Sequence, residues 1–358
     1  MKILHVITNT ELGGAQTVCI FLANMAACDG NTVAVASMPG GYLWNQLDKR
    51  IIRFTIESMV KPLCPYSDIK CYMQLKKHIE QFAPDIIHLH SSKAGALGRL
   101  AGRKYKNRIV YTVHGFDSIR LHHKIFLPLE RWLQNYCGAI VAVSKYDEKS
   151  LRDAGITAHV HTIYNGIKLT GQTMLPPFDA SPYKKVIMTI ARISIQKRFA
   201  FFLQVAAHKD MQDYLFIWIG GSAEKSIDEL KREYSIPPNV LLLGDYPDAS
   251  ALLKYCDLFV LFTNYEGLPM TILEAMAQKK AVVASNVGGI PELIDDSNGI
   301  LIQTDEAAVP SILSILNDEN KSQTMGECSF TKYTCSFTLE QMWKNYWKLY
   351  NELLTATY

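Results

Sequence analysis

The chain has 358 residues, 48% hydrophobic and 20% charged, a balance that excludes a disordered chain, and its length predicts two domains because single cores stop growing near roughly 250–300 residues. Its eight cysteines form no C-x-x-C pair, which excludes a zinc ribbon or dithiol motif and reads as reduced core thiols of a cytoplasmic protein. Residues 1–170 hold 21 Lys and Arg against 12 Asp and Glu, and the remainder 16 against 22, so the first half suits an anionic partner such as a membrane surface, a lipid phosphate or nucleic acid.

Met1-Lys2 lead straight into the apolar run Ile3–Ile7 with no secretion-signal layout, and no 18-residue apolar run exists to span a membrane. Further β-branched runs follow at Thr32–Ser37, Phe54–Glu57, Ile86–His90, Ile109–Val113, Ile140–Ser144 and His161–Tyr164. Several are apolar throughout, which suits parallel strands buried on both faces. Helical segments such as Gln16–Ala27 and Leu75–Phe82 alternate with them. That alternation predicts a doubly wound parallel sheet over residues 1–168.

A Pro- and Gly-containing stretch over 169–184 reads as a linker. The alternation restarts with Lys185–Ala191, Leu215–Gly220, Val240–Leu243, Leu258–Phe262, Ala281–Ser285 and Ile300–Ile302, predicting a second α/β domain over 185–335. The tail Leu339–Leu354 carries Met342, Tyr346, Leu349 and Leu353 at helical spacing, so a docked amphipathic helix is expected within 336–358. Two such domains are expected to face a central cleft at the carboxyl ends of their strands.

Six segments carry chemistry. After the first strand, Gly13-Gly14 precede a helix, where free amides favour an anion, although a plain turn would use the same pair. His114, before Gly115 at the end of a strand, is placed to share a proton with a hydroxyl. Arg192 and Lys197, five apart on a strand-to-helix loop, can clamp a diphosphate; a solvated loop is the alternative. Glu266-Gly267-Leu268-Pro269 opens a helix whose Glu274 lies eight residues on, giving two carboxylates and the amides of Gly267 and Leu268 at one helix start. The segment Lys93–Arg108 interleaves cations with small apolar residues, and Arg120-Leu121-His122-His123-Lys124 precedes Ile125-Phe126-Leu127. Both suit contact with anionic lipid, or else pack on the sheet with their cations solvated.

Taken together, Gly13-Gly14-Ala15, Val113-His114-Gly115, Val143-Ser144 with Asn165-Gly166-Ile167, Arg192 with Lys197, and the E-x7-E spacing from Glu266 to Glu274 resemble the retaining glycosyltransferase family 4. The resemblance runs from residue 1 to about 302. It implies the GT-B fold, with a nucleotide-sugar donor and no cofactor, and a final helix that crosses back to the first domain. Position by position it implies that Arg192 and Lys197 hold the donor diphosphate and that Gly13-Gly14 approach it. It likewise implies Glu274 on the ribose, Glu266 with Gly267 and Leu268 at the donor sugar, Tyr246 of the loop Gly244–Pro247 near the base, and His114 with Lys93 on the acceptor side. The implied acceptor is a glycan or polyprenyl-diphosphate-linked oligosaccharide of bacterial surface polysaccharide (O-antigen or capsule), reached by peripheral contact with the inner membrane face, with no nucleic acid as partner. Two positions depart from the family: Ala191 stands before Arg192 where glycine is usual, and Gln16 where glutamate is frequent. No D-x-D pair occurs, so no metal is expected at the diphosphate. A UDP-sugar 2-epimerase of the same shape is the alternative. A two-domain NAD dehydrogenase is disfavoured by the missing G-x-G-x-x-G.

Overall fold

A computed structural model describes residues 1–169, 175–222, 224–246 and 248–356. The chain divides into two compact units, Met1–Gly166 with Leu339–Tyr358, and Ile167–Thr338. Part of the expected linker, 170–174, lies outside the described residues.

The first unit is built on seven parallel strands: β1 (Lys2–Ile7), β2 (Thr32–Ser37), β3 (Ile52–Thr55), β4 (Ile86–His90), β5 (Ile109–Val113), β6 (Ala139–Ala142) and β7 (Val160–Thr162). Their order is β3-β2-β1-β4-β5-β6-β7, a doubly wound arrangement that reverses direction between β1 and β4. The third strand was expected at Phe54–Glu57. Its register against β2 sets Ile52–Thr55 opposite Ala34–Ser37 instead. The helix expected at Leu75–Phe82 begins at Pro65, with proline in its first turn and Asp68 beside its positive end. Its apolar spacing is obscured because Tyr66, Ile69 and Met73 are exposed while Cys71, Leu75, Ile79 and Phe82 are buried.

The two faces of this sheet differ in chemistry. Leu4, Val6, Ile87, Leu89, Tyr111 and Val113 point into one apolar core, each contributing on the order of 1.5–3 kcal/mol by burial. Their alternate neighbours His5, His88, His90 and Thr112 lie on the other face, fully buried. The helix Leu339–Thr355 covers them: Tyr350 Oη bonds His88 Nδ1 at 2.6 Å, His88 Nε2 bonds Thr112 Oγ1 at 2.7 Å, and Tyr346 Oη bonds Thr112 at 3.0 Å. The expectation of strands apolar on both faces therefore fails at β4, where buried polar groups are satisfied by one another.

The second unit carries six parallel strands, β8 (Lys185–Ile190), β9 (Tyr214–Ile219), β10 (Val240–Gly244), β11 (Leu258–Leu261), β12 (Ala281–Ser285) and β13 (Gly299–Ile302). The order β10-β9-β8-β11-β12-β13 reverses between β8 and β11. Phe199, Phe202, Phe216 and Trp218 meet edge to face beneath it. All eight cysteines are free thiols. Among the described residues no helix is long and apolar enough to cross a membrane.

Candidate active site

The chemistry-bearing residues form two groups, one at the carboxyl edge of each sheet. In the second unit the loops that follow β8 and β11 flank the point where strand order reverses, the position at which doubly wound sheets take ligands. Four hydrogen bonds stitch these loops together. Gln196 O accepts from Asn264 N at 2.9 Å and from Thr263 Oγ1 at 3.1 Å. Gln196 Nε2 donates to Tyr265 O at 2.9 Å, and Asn264 Nδ2 to Ile195 O at 3.1 Å. The stitching brings Lys197 and Glu266, 69 positions apart, into an ion pair. The single Thr263 hydroxyl hydrogen is shared between Gln196 O and the same carboxylate oxygen, the latter at the shorter distance of 2.9 Å. The lysine side chain is 16% exposed and the glutamate 9%, so the pair sits mostly out of water. Arg192, by contrast, is exposed and makes no hydrogen bond or ion pair among the described residues.

Glu266 is also held from behind. Gly289 N donates to Gly267 O at 3.0 Å. Gly288 adopts φ +58, and a Cβ there would stand 1.9 Å from Glu266 O, so only glycine allows this approach. Gln196, Thr263 and the Gly288-Gly289 pair were not singled out by sequence reasoning. The paired glycines just past β12 and the threonine at the end of β11 were the available signals.

The following helix, Met270–Ala277, begins without a side-chain cap, and of its first-turn amides Ile272 N donates back to Pro269 O at 3.2 Å. Glu274 is its fifth residue, one turn in. It is half-buried without a side-chain partner among the described residues, and burial pushes its carboxyl up to about 7. On the far side of the sheet, Gly221 N donates to Asp245 Oδ1 at 2.7 Å beside half-buried Tyr246. Pro247, the end of the loop expected near the base, lies outside the described residues.

In the first unit Gly13 is extended and Gly14 begins the helix Gly14–Cys28, again without a side-chain cap. A Cβ on Gly13 would meet Gln16 Oε1 at 2.6 Å. Gln16 Nε2 in turn donates to Asn9 O at 3.1 Å, so Gln16 serves to close this turn. His114 follows β5 and is half-buried. The turn after it is fixed by Gly115 at φ +105 and by Phe116 N donating to Asp147 Oδ1 at 2.8 Å. Ser144 caps the helix that carries Asp147. The Val143-Ser144 motif thus shapes the backbone around His114. Burial pushes the His114 ring down to about 4, so it is neutral near pH 7.

Lys93 does not stand free for an acceptor. It bonds Asp68 at 2.6 Å and donates to Val60 O and Pro62 O at 2.7 and 2.6 Å. Nor does Lys93–Arg108 form a lipid-facing amphipathic helix. Ala94, Gly95, Gly98 and Ala101 are buried on the helix Ser92–Ala101. Arg99 is fully buried, paired with Glu130 at 2.6 Å and stacked over Tyr111. The exposed cations of that run, Arg103, Lys104, Lys106 and Arg108, lie on a separate short turn.

Residues 12–170 match the family model described as Glycosyltransferase Family 4, and residues 176–330 that described as Glycosyl transferases group 1. An Escherichia coli protein named UDP-Gal:alpha-D-GlcNAc-diphosphoundecaprenol alpha-1,3-galactosyltransferase is 26% identical over 86% of this chain and 85% of its own. The E. coli O-antigen biosynthesis glycosyltransferase WbnH is 27% identical over 84% and 86%. An uncharacterised 41.2 kDa protein of the Klebsiella pneumoniae cps region is 28% identical over 62% of this chain, which spans 66% of that protein. Among solved structures, Anabaena HepE in complex with UDP and glucose superposes with a TM-score of 0.81 at 20% identity, covering 98% of this chain and all of HepE.

Two doubly wound sheets of this order, with cations and a carboxylate gathered at a strand-order reversal, are those of a GT-B glycosyltransferase. The chain belongs to glycosyltransferase family 4.

Proposed function

We propose that the protein transfers a hexose from a UDP-sugar to a glycan carried on a polyprenyl diphosphate, with retention and without a metal, in the synthesis of a bacterial surface polysaccharide. The observation that carries this reading is the Lys197–Glu266 pair beside exposed Arg192 at the carboxyl edge of β8 and β11. Two cations there can meet the charge that grows on a departing diphosphate. The carboxylate is committed to Lys197 and Thr263, which disfavours it as a covalent nucleophile. In the proposed step the bond from C1 to the diphosphate oxygen breaks and the acceptor oxygen bonds C1 on the same face. The acceptor proton passes to the departing phosphate oxygen. The UDP donor and lipid-linked acceptor are supported by the E. coli galactosyltransferase's name and by the UDP in HepE.

The test is nucleotide release from a panel of UDP-, GDP- and ADP-sugars with a polyprenyl-diphosphate glycan, and the anomeric configuration of the product by NMR. Release from UDP-sugars only with acceptor, with the donor's anomer kept, is expected. A new sugar isomer formed from donor alone would instead identify an epimerase. Activity should survive excess EDTA, since arginine and lysine would neutralise the diphosphate. Complete loss that magnesium or manganese restores would sink the metal-free step.

Glu274 is assigned to the ribose hydroxyls, and its raised acidity range makes donor binding pH-dependent. The hydroxyls donate to the carboxylate, so protonation competes with binding. Affinity for the nucleoside diphosphate should fall about tenfold from pH 8 to pH 6, and calorimetry on Glu274→Gln should show a flatter profile that isolates this residue from the ligand's own titration.

The membrane contact is assigned to residues 121–132 in place of the buried run at 93–101. Ile125 is 82% exposed, with Leu121, Leu129 and Trp132 also exposed and His123, Lys124 and Arg131 interleaved. Apolar side chains beside the cations Lys124 and Arg131 fit an anionic lipid surface. Replacing Ile125 and Trp132 together by aspartate should cut sedimentation with phosphatidylglycerol vesicles by about tenfold and leave the melting temperature unchanged; equal sedimentation removes this face from the membrane.

A further inference from the structure

The polar face of the first sheet leads to His114 through two more histidines. His5 pairs in register with His88, and His90 with Thr112, so all project from the face that His114 continues. His114 Nε2 lies 3.2 Å from His90 Nδ1, and His90 Nε2 lies 3.1 Å from His5 Nδ1. His5 Nε2 is buried with no hydrogen-bond partner among the described residues. Cys19 brings its sulfur within 4.8 Å of this group. Both His90 nitrogens are already committed, however, so the three residues are not an open ligand set for a metal.

The direction of the chain follows from counting protons. Burial holds all three rings neutral: His114 is pushed down to about 4, His5 to about 3 and His90 well below its ordinary range. A neutral imidazole has one N–H and one lone pair, so two such links in series must point the same way. Pointing inward, the chain would end on a His5 Nε2–H donor buried without an acceptor. Pointing outward, His5 Nδ1 donates to His90 and His90 Nδ1 donates to His114 Nε2, leaving only an unused lone pair at His5. Orphaned buried N–H groups are the rarer of the two defects in folded proteins, so the outward direction wins. The proton of His114 then sits on Nδ1.

We propose that His90, itself held by His5, is a positioning residue that fixes His114 as its Nδ1–H tautomer, so that His114 meets a substrate oxygen as a neutral hydrogen-bond donor and not as a base. This rests on the reading of His114 as a substrate-side group, and it replaces the proton-sharing role expected from sequence. The lone pair a base would need is spent on His90, and no carboxylate among the described residues bonds His5, His90 or His114. Removal of the acceptor's proton therefore falls to the departing phosphate.

Histidine-15N labelling of the full chain and long-range proton–nitrogen correlation spectra report the tautomer directly. Wild-type His114, assigned by loss of its signals in His114→Gln, is expected as Nδ1–H. His90→Leu removes the donor: His114 should shift toward Nε2–H and kcat should fall about tenfold with KM little changed. His90→Asn keeps an amide donor near the position of Nδ1 and should recover the tautomer and most of that turnover. Nε2–H at His114 in the wild-type protein overturns the proposal, and an unchanged tautomer in folded His90→Leu overturns the role of His90. Normal turnover in His114→Gln, with Nδ1–H in the wild type, would sink the substrate-side reading alone.

Discussion

Lys197→Ala should lower turnover by ~30–1,000-fold, the loss of roughly 2–4 kcal/mol of stabilisation of the departing diphosphate. As a loop cation it would be expected to matter little for folding. The ion pair changes that. Removing the lysine leaves Glu266, 9% exposed, with Thr263 as its remaining side-chain partner among the described residues. An unpaired carboxylate so placed costs about 1–3 kcal/mol, enough to lower the melting temperature of a unit this size by roughly 3–10 °C. Steady-state kinetics and calorimetric melting separate the two losses. A second substitution, Glu266→Gln in the Lys197→Ala background, should return the stability and not the turnover. If turnover of folded Lys197→Ala stays near that of the wild type, Lys197 has no part in the chemistry.

The two glutamates should fail in different ways. If Glu266 faces the transferring sugar as proposed, Glu266→Gln removes a negative charge where contacts matter most as the ring gains positive character, and turnover should fall about 100-fold. The same change frees the charge of Lys197, so affinity for the nucleoside diphosphate should hold or rise. In its proposed role on the ribose, Glu274 is a charged acceptor, so Glu274→Gln should weaken that ligand by ~1.5–3 kcal/mol above pH 7, where the wild-type carboxyl is ionised. Titration calorimetry with the nucleoside diphosphate, which keeps the ribose and lacks the sugar, makes the comparison. Equal loss of nucleotide in both variants would refute the division between them. Full binding and turnover in both would reduce Glu266 to Glu274 to a helix start.

Much of this architecture is legible in local patterns, because parallel strands buried in a doubly wound sheet are short β-branched runs and their helices are amphipathic. What local patterns cannot carry is pairing across the chain. Lys197 and Glu266 are each readable as a cation and an acid near strand ends. That they bond depends on Gln196 and Thr263 locking two distant loops, which no spacing reveals. Lys93 and Arg99 fail as lipid contacts for the same reason: Asp68 and Glu130 neutralise them from other elements. His88 and His90 look like interruptions in an apolar strand until Tyr350, 262 positions on, is seen to bond the first of them.

That last contact bears on how the protein is made. The sheet of the first unit consists of residues 1–166, yet its polar face is covered by a helix that emerges only after all of Ile167–Thr338. At about 5–20 residues per second, translation of the intervening segment takes roughly 10–35 s. Throughout that interval His88 and Thr112 lack their tyrosine partners, and by its end the second unit holds every strand of its own sheet. The part of the chain synthesised first is thus the last to be completed, and the nascent protein spends its longest wait with a row of histidines open to water and to chaperones.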